Sequence, residues 1–225
     1  CRNFGTKLWN AARFCEMNEC VRKRDFEPSS ATLTVNKWIV AEAARVAAEV
    51  TTSLTAYRFN DAAGAVYHFV WDVFCDWYLE FIKPVLNGND DEAKTETRDT
   101  AAWVLDRILQ LLHPFMPFIT EELWARMAEH AVPRRSSLML SAWPELQSVP
   151  QDESARAEMQ WLIDLVSGVR SVRAEMNVPP AARIALVLKD AGPETLDRLT
   201  RNRDVILTLA RLSSARGGAD IPSGS

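Results

Sequence analysis

The chain has 225 residues, 48% of them hydrophobic and 25% charged, with a formal net charge of −4. That balance suits a soluble globular protein with one sizeable core and a small appendage, and it gives no global pull toward nucleic acid, so any such binding needs a local basic patch. Eight Trp and only eight Gly, with long periodic runs, favour helices over turn-rich β architecture. Cys1, Cys15, Cys20 and Cys75 lack paired CxxC spacing and the three His are scattered singly, so no metal is expected. No apolar run approaches a membrane span and no leader opens the chain, which points to a reducing, cytoplasmic setting. The first residue is Cys rather than Met, which reads as a piece excised from something longer.

A first helix is predicted from about Thr6, with Leu8, Ala11, Ala12 and Cys15 as its apolar stripe. Lys7, Asn10 and Arg13 follow one another at steps of three on a different face, with Trp9 and Phe14 beside them. A mobile cation, an amide and a planar guanidinium suit a phosphate or a stacked base; a surface helix with scattered cations is the plainer reading. The connection Val21 to Thr34 carries Arg22, Lys23 and Arg24 followed by Phe26, a combination that fits a phosphate backbone and a base, or simple solubility.

Ile39, Ala43, Val46, Val50, Leu54 and Tyr57 mark a second helix from Val35 to about Tyr57. The stretch Arg58 to Pro84 then organises the chain. Ala63, Tyr67, Val70, Phe74, Trp77 and Phe81 recur at alternating steps of three and four, predicting a long helix at the centre of a bundle, with Asn60 as N-cap and Pro84 as stop. Asp72, Asp76 and Glu80 form a polar stripe four residues apart, expected to be solvated or paired with cations rather than to hold a metal.

An acidic loop at Leu86 to Lys94 leads into a helix with Ala102, Leu105, Leu109 and Leu112 buried, ended by His113-Pro114. His113 is expected to cap or pack. Phe115 to Phe118 form an apolar packing corner, and Pro117 opens another helix. Residues 132–150 read as irregular, with Trp143 pinning the crossing onto the bundle. A heptad-like run, Leu162, Leu165, Val169, Val172 and Met176, follows, with Arg170, Arg173 and Asn177 on an adjoining face as far as Val178-Pro179-Pro180. These arginines are candidates for nucleic acid or for acidic groups of the bundle.

Beyond the double Pro, a short β-branched segment (Arg183 to Leu188), a turn at Asp190 to Pro193, a helical segment to about Asn202 and an apolar segment at Val205 to Leu209 predict a small α+β lobe. The expected organisation is mainly α: a helical bundle over 1–178, the lobe over 179–216 and a tail over 217–225.

The stretches KLWNAARF, YRFNDAAGAVYHFVWDVFCDWYLE, LLHPFMPFITEELW and RAEMNVPP, in this order, resemble the C-terminal anticodon-binding region of bacterial valyl-tRNA synthetases, a class I aminoacyl-tRNA synthetase family, over nearly the whole chain. The phrase HPFMPFITEELW alone is only moderately specific, since the Leu, Ile, Val and Met enzymes of this class carry related wording after a similar helix. What the resemblance implies is a bundle that holds the anticodon arm of valine tRNA, joined to the remainder of a synthetase chain whose separate catalytic domain uses ATP. It implies a monomer that carries no cofactor and no catalytic residue in this portion, since no HIGH-like or KMSKS-like segment or P-loop is present. It also makes Lys7, Asn10 and Arg13 the leading tRNA-binding candidates, followed by Arg24 and Phe26, then Arg170 and Arg173. A helical protein-interaction module, or the equivalent region of an isoleucine enzyme, is the alternative.

Overall fold

The computed structural model describes residues 2–23, 25–129, 133–134 and 136–218. It divides into two compact units, Cys1–Ala155 and Arg156–Ser225. The change of texture expected at 178 thus lies well inside the second unit.

In the first unit, α1 (Arg2–Met17) buries Phe4, Leu8, Ala11, Ala12 and Cys15, the predicted stripe extended by one turn. The helix α2 (Thr34–Thr55) is followed by α3 (Phe59–His68), a π-helical segment (Phe69–Tyr78) and α4 (Leu79–Leu86), which form one continuous rod. Then come α5 (Asp91–Leu112) and α6 (Pro117–Arg126). The rod packs against α1, α2 and α5, so the predicted central helix is central.

Its burial follows a different period from the one predicted. Ala62, Val66, Val70, Phe74, Tyr78, Ile82 and Leu86 are buried at a strict step of four, while Tyr67 is 42% exposed. In a pure α-helix each step of four overshoots the turn and the stripe winds off the core. The wider π turn, seen where the Leu79 N–H donates to Phe74 O five residues back, undershoots and returns the stripe to the core.

Both predicted ends of this helix also move. Arg58 occupies the N-cap without a side-chain cap, and Asn60, inside the first turn, donates to Asp61 instead. Pro84 lies within α4, because burial of Ile82 and Leu86 holds the last turn despite the missing donor. Elsewhere the ends rely on left-handed residues other than Gly: Glu19 after α1 and Tyr57 after α2 have φ of 58° and 57°.

The interior joint of this unit is polar. Asn36, fully buried, accepts from the Tyr78 hydroxyl (3.1 Å) and donates to Glu96 Oε1 (2.9 Å) and Thr97 Oγ1 (3.1 Å). Glu96 also accepts from the Leu33 N–H (2.9 Å) and the Thr32 hydroxyl, so an α5 carboxylate caps the otherwise uncapped start of α2. Burial alone would raise the Glu96 carboxyl, but these hydrogen bonds outweigh it and hold the group below its ordinary value.

Asp90 caps α5 by accepting from Glu92 and Ala93, so this helix starts inside the expected loop. His113 Nδ1 lies 2.8 Å from Thr120 Oγ1, joining α5 to α6 in the packing role expected of it. Phe118 departs from the expected apolar corner and is 90% exposed. Trp143 Nε1 donates to Thr51 Oγ1 (2.8 Å), which pins the irregular crossing to α2 as predicted.

The second unit holds most of α7 (Glu153–Glu175), then β1 (Ile184–Lys189), α8 (Pro193–Arg201), α9 (Arg203–Leu209) and β2 (Leu212–Gly218). The strands pair in parallel, from Ile184 opposite Leu212 to Lys189 opposite Gly218. The predicted lobe is therefore α+β, but its apolar segment at 205–209 is helical and the second strand comes later. This strand takes in Gly217 and Gly218, the first residues of the expected tail; the rest of that tail lies outside the described residues. A Cβ on Gly217 would stand 2.4 Å from Leu196 of α8, so a bare backbone lets this leucine lie over the strand. Along α7 the buried residues are Ala155, Met159, Leu162, Val166 and Arg173, whereas Val172 and Met176 of the predicted heptad are exposed.

Candidate nucleic-acid interface

Three parts of the chain carried candidates, and the structure treats them differently. On α1, the buried stripe turns Asn10 and Arg13 outward, where both are exposed and make no hydrogen bond or ion pair with another described residue. Thr6 and Met17 continue this exposed face.

Lys7 faces elsewhere. Its ammonium pairs with Asp76 and sits 3.8 Å from the centroid of the Trp71 ring. Trp71 and Asp76 are five residues apart, which would separate them around an α-helix; the π turn stacks them and makes the clamp. Trp71 is itself stacked in a ladder with Tyr67 and Phe4. The remaining acidic stripe is likewise paired, Asp72 with His68 (2.8 Å) and Glu80 with Lys83.

On the other flank of α1, Arg126 of α6 donates to Glu16 (2.9 Å) and lies over the Trp9 ring at 5.4 Å. This brace, which sequence reading missed, ties α1 to α6 and fixes the edge of the exposed face. No local pattern could have found it, because Glu16 and Arg126 are far apart in the chain.

The basic connection folds back onto α5. Arg22 pairs with Asp106 (3.1 Å) and Lys23 with Asp99 (2.7 Å). Arg24 lies outside the described residues. Phe26 packs against Trp103, with ring centroids 6.4 Å apart, and shares a recess with Asp91, Glu92, Glu96 and Asp99. Those carboxylates repel phosphate, so its setting is unlike the basic one that the sequence suggested.

In the second unit, Arg173 is buried and donates to the carbonyls of Ala182 (2.9 Å), Pro179 (3.2 Å) and Arg211 (3.4 Å). Three of its five N–H groups hold the turn after α7 to the lobe, and its burial turns it inward. Arg170 is exposed and donates through Nε to Leu209 O (3.1 Å). Replacing Arg173 with alanine is expected to destabilise this unit by about 1–3 kcal/mol, because three part-buried carbonyls lose their charged donor. Lysine, which lacks the fork, should recover little of the loss in thermal denaturation followed by circular dichroism.

Comparison with known proteins bears directly on this arrangement. Residues 36–188 match the family described as the anticodon-binding domain of tRNA ligase. The chain belongs to that family. Over its whole length it is also 57% identical to the valine–tRNA ligase of Caulobacter vibrioides, and 54% and 53% identical to those of Agrobacterium fabrum and Mesorhizobium japonicum. It spans 25%, 23% and 24% of those relatives, so about a quarter of each is matched. The family match starts at Asn36, in the first turn of α2. The outward face of α1 therefore precedes the region that defines this anticodon-binding domain, although the full-length relatives align across it. Among the described residues, no helix is long and apolar enough to cross a membrane.

Proposed function

We propose that this domain grips the anticodon arm of valine tRNA, as a monomeric part of a valine–tRNA ligase in the cytoplasm whose remaining portion binds ATP and activates the amino acid. The observation that carries the reading is the contrast along α1. Asn10 and Arg13 lie exposed without a hydrogen-bond or ion-pair partner among the described residues, while the neighbouring cations Lys7 and Arg126 are already paired with Asp76 and Glu16. An amide that both donates and accepts, next to a planar cation, suits the exposed edge and face of a loop base. Lys7 and Trp71 serve as the rigid flank of this face rather than as its reading groups.

Direct binding to valine tRNA, and to the same tRNA with a changed anticodon, at matched salt is the test. The native anticodon should be preferred, and Arg13→Ala should lose about 1–3 kcal/mol, the value of one good stack. Equal, weak binding of both tRNAs would defeat the reading. Preference for an isoleucine anticodon would redirect it to the sister enzyme.

A further inference from the structure

A second polar locus lies away from the outward face of α1. Arg22, Arg107, Gln110, Trp124, Arg134 and Ser136 line a recess of about 440 Å³ in the first unit. Three guanidinium groups meet there around one carboxylate, that of Asp106. They are not equally occupied. Arg134 is bidentate to Asp106 (2.6 and 2.7 Å), donates to Trp124 O and stacks on the Trp124 ring at 3.6 Å. Arg22 approaches Asp106 with its Nε at 3.1 Å. Arg107 has no such pairing among the described residues: it lies over the Trp103 ring at 5.5 Å, and its Nε is buried without a hydrogen-bond partner there. Burial, with Arg22 and Arg134 nearby, pulls its basicity below the ordinary arginine value despite Asp106.

One turn along α5, Gln110 spends its amide N–H on Ala142 O (3.1 Å), and its Oε1 is buried without a donor. A buried donor beside surplus positive charge and a buried acceptor one turn away are costly when left unmet. A proton-free inorganic anion satisfies the first and not the second. A ribonucleotide satisfies both, with its phosphate on Arg22 and Arg107 and its 2′-hydroxyl donating to Gln110.

We propose that this recess is a nucleotide subsite that takes one phosphate and ribose of an RNA strand, an inference that rests on the tRNA-binding reading but places a contact apart from the outward face of α1. Arg107 and Arg22 hold the phosphate, Gln110 tells ribose from deoxyribose, and Asp106 with Arg134 forms the wall.

The test uses the 225-residue chain with the diribonucleotide UpU, its deoxy counterpart and inorganic phosphate as probes, together with valine tRNA. UpU should shift the NMR signals of the Arg107 Nε–H and the Trp124 indole N–H more than the deoxy form does, and Gln110→Leu should erase that difference. Arg107→Gln should weaken tRNA binding about tenfold, and the slope of log affinity against log salt should become shallower by about 0.7. Should Arg107→Gln fail to fold by circular dichroism, Arg22→Gln, at a half-exposed position, decides by the same two readings.

Absence of a UpU-induced shift, or unchanged tRNA affinity and slope in the folded variants, overturns the subsite. Equal shifts with phosphate and with UpU leave an adventitious ion only and overturn it too. Indifference to anticodon changes and to Arg13→Ala, with the UpU shift and the Arg107→Gln loss intact, would defeat the anticodon reading while the subsite stands. The converse pattern would remove the subsite alone.

Discussion

Asp106→Ala is expected to destabilise the first unit by about 3–5 kcal/mol, because it strips the counter-charge from a buried cation cluster. The Asp106 and Arg134 side chains are 5% and 9% exposed, and their bidentate pair is joined by Arg22 at 3.1 Å. Without the carboxylate, the buried Arg134 loses its counter-charge and is left beside the like charges of Arg22 and Arg107. Urea denaturation of the wild type and the variant measures the loss. Adding Arg134→Met to Asp106→Leu should recover much of it, since a well-packed apolar pair can replace a buried ion pair. A loss under 1 kcal/mol for Asp106→Ala would mean that water already reaches the cluster and that the pair is not a structural joint.

The next largest effect is expected at Asn36. Asn36→Leu should cost about 2–4 kcal/mol, since the volume is kept while the Tyr78 hydroxyl, Thr97 and Glu96 each lose a partner. Burial pushes the Tyr78 hydroxyl well above its ordinary value, so it stays a neutral donor and its demand for an acceptor does not titrate away. Combining Asn36→Leu with Tyr78→Phe should recover part of the loss, and the double-mutant cycle gives the coupling.

The same network has a pH signature. Folding holds the Glu96 carboxyl below its ordinary value of 4.5, so its contribution is fully present above that value and is lost as pH falls through the lower, folded one. Stability measured against pH should therefore show Glu96→Gln falling behind the wild type near neutrality and drawing level with it in acid. An equal gap at all pH values would mean that the carboxylate's charge plays no part in capping α2.

Element positions were largely legible in the chain. Apolar periodicity placed α1, α2 and α5, and Pro117 placed the start of α6, because local spacing and local backbone chemistry govern those features. The change of texture after Pro179-Pro180 announced the α+β lobe. The π segment was not legible: a run such as FVWDVFCDWY is apolar on nearly every side, so its spacing fits two turn widths and the packed neighbours choose between them. Heptad spacing likewise misplaced the exposed Val172 and Met176, because the run offered several apolar faces and only the fold selects one.

The candidate site was half legible for a related reason. Residue type and step along α1 marked Lys7, Asn10 and Arg13 as one polar set, since helical geometry puts such residues on neighbouring faces. Sequence by itself determined the mainly helical class, the family resemblance and that polar set. Tertiary structure alone decided which cations are spent. Lys7 went to Asp76 and Trp71 and Arg173 to three carbonyls, Arg22 leans on Asp106 while staying part-exposed, and Asn10 and Arg13 stayed outward. The physical reason is that charge belongs to a residue, but its availability depends on the partners that folding brings within a few ångströms, most of which, such as Asp76 for Lys7 and Asp106 for Arg22, lie tens of residues away in the chain.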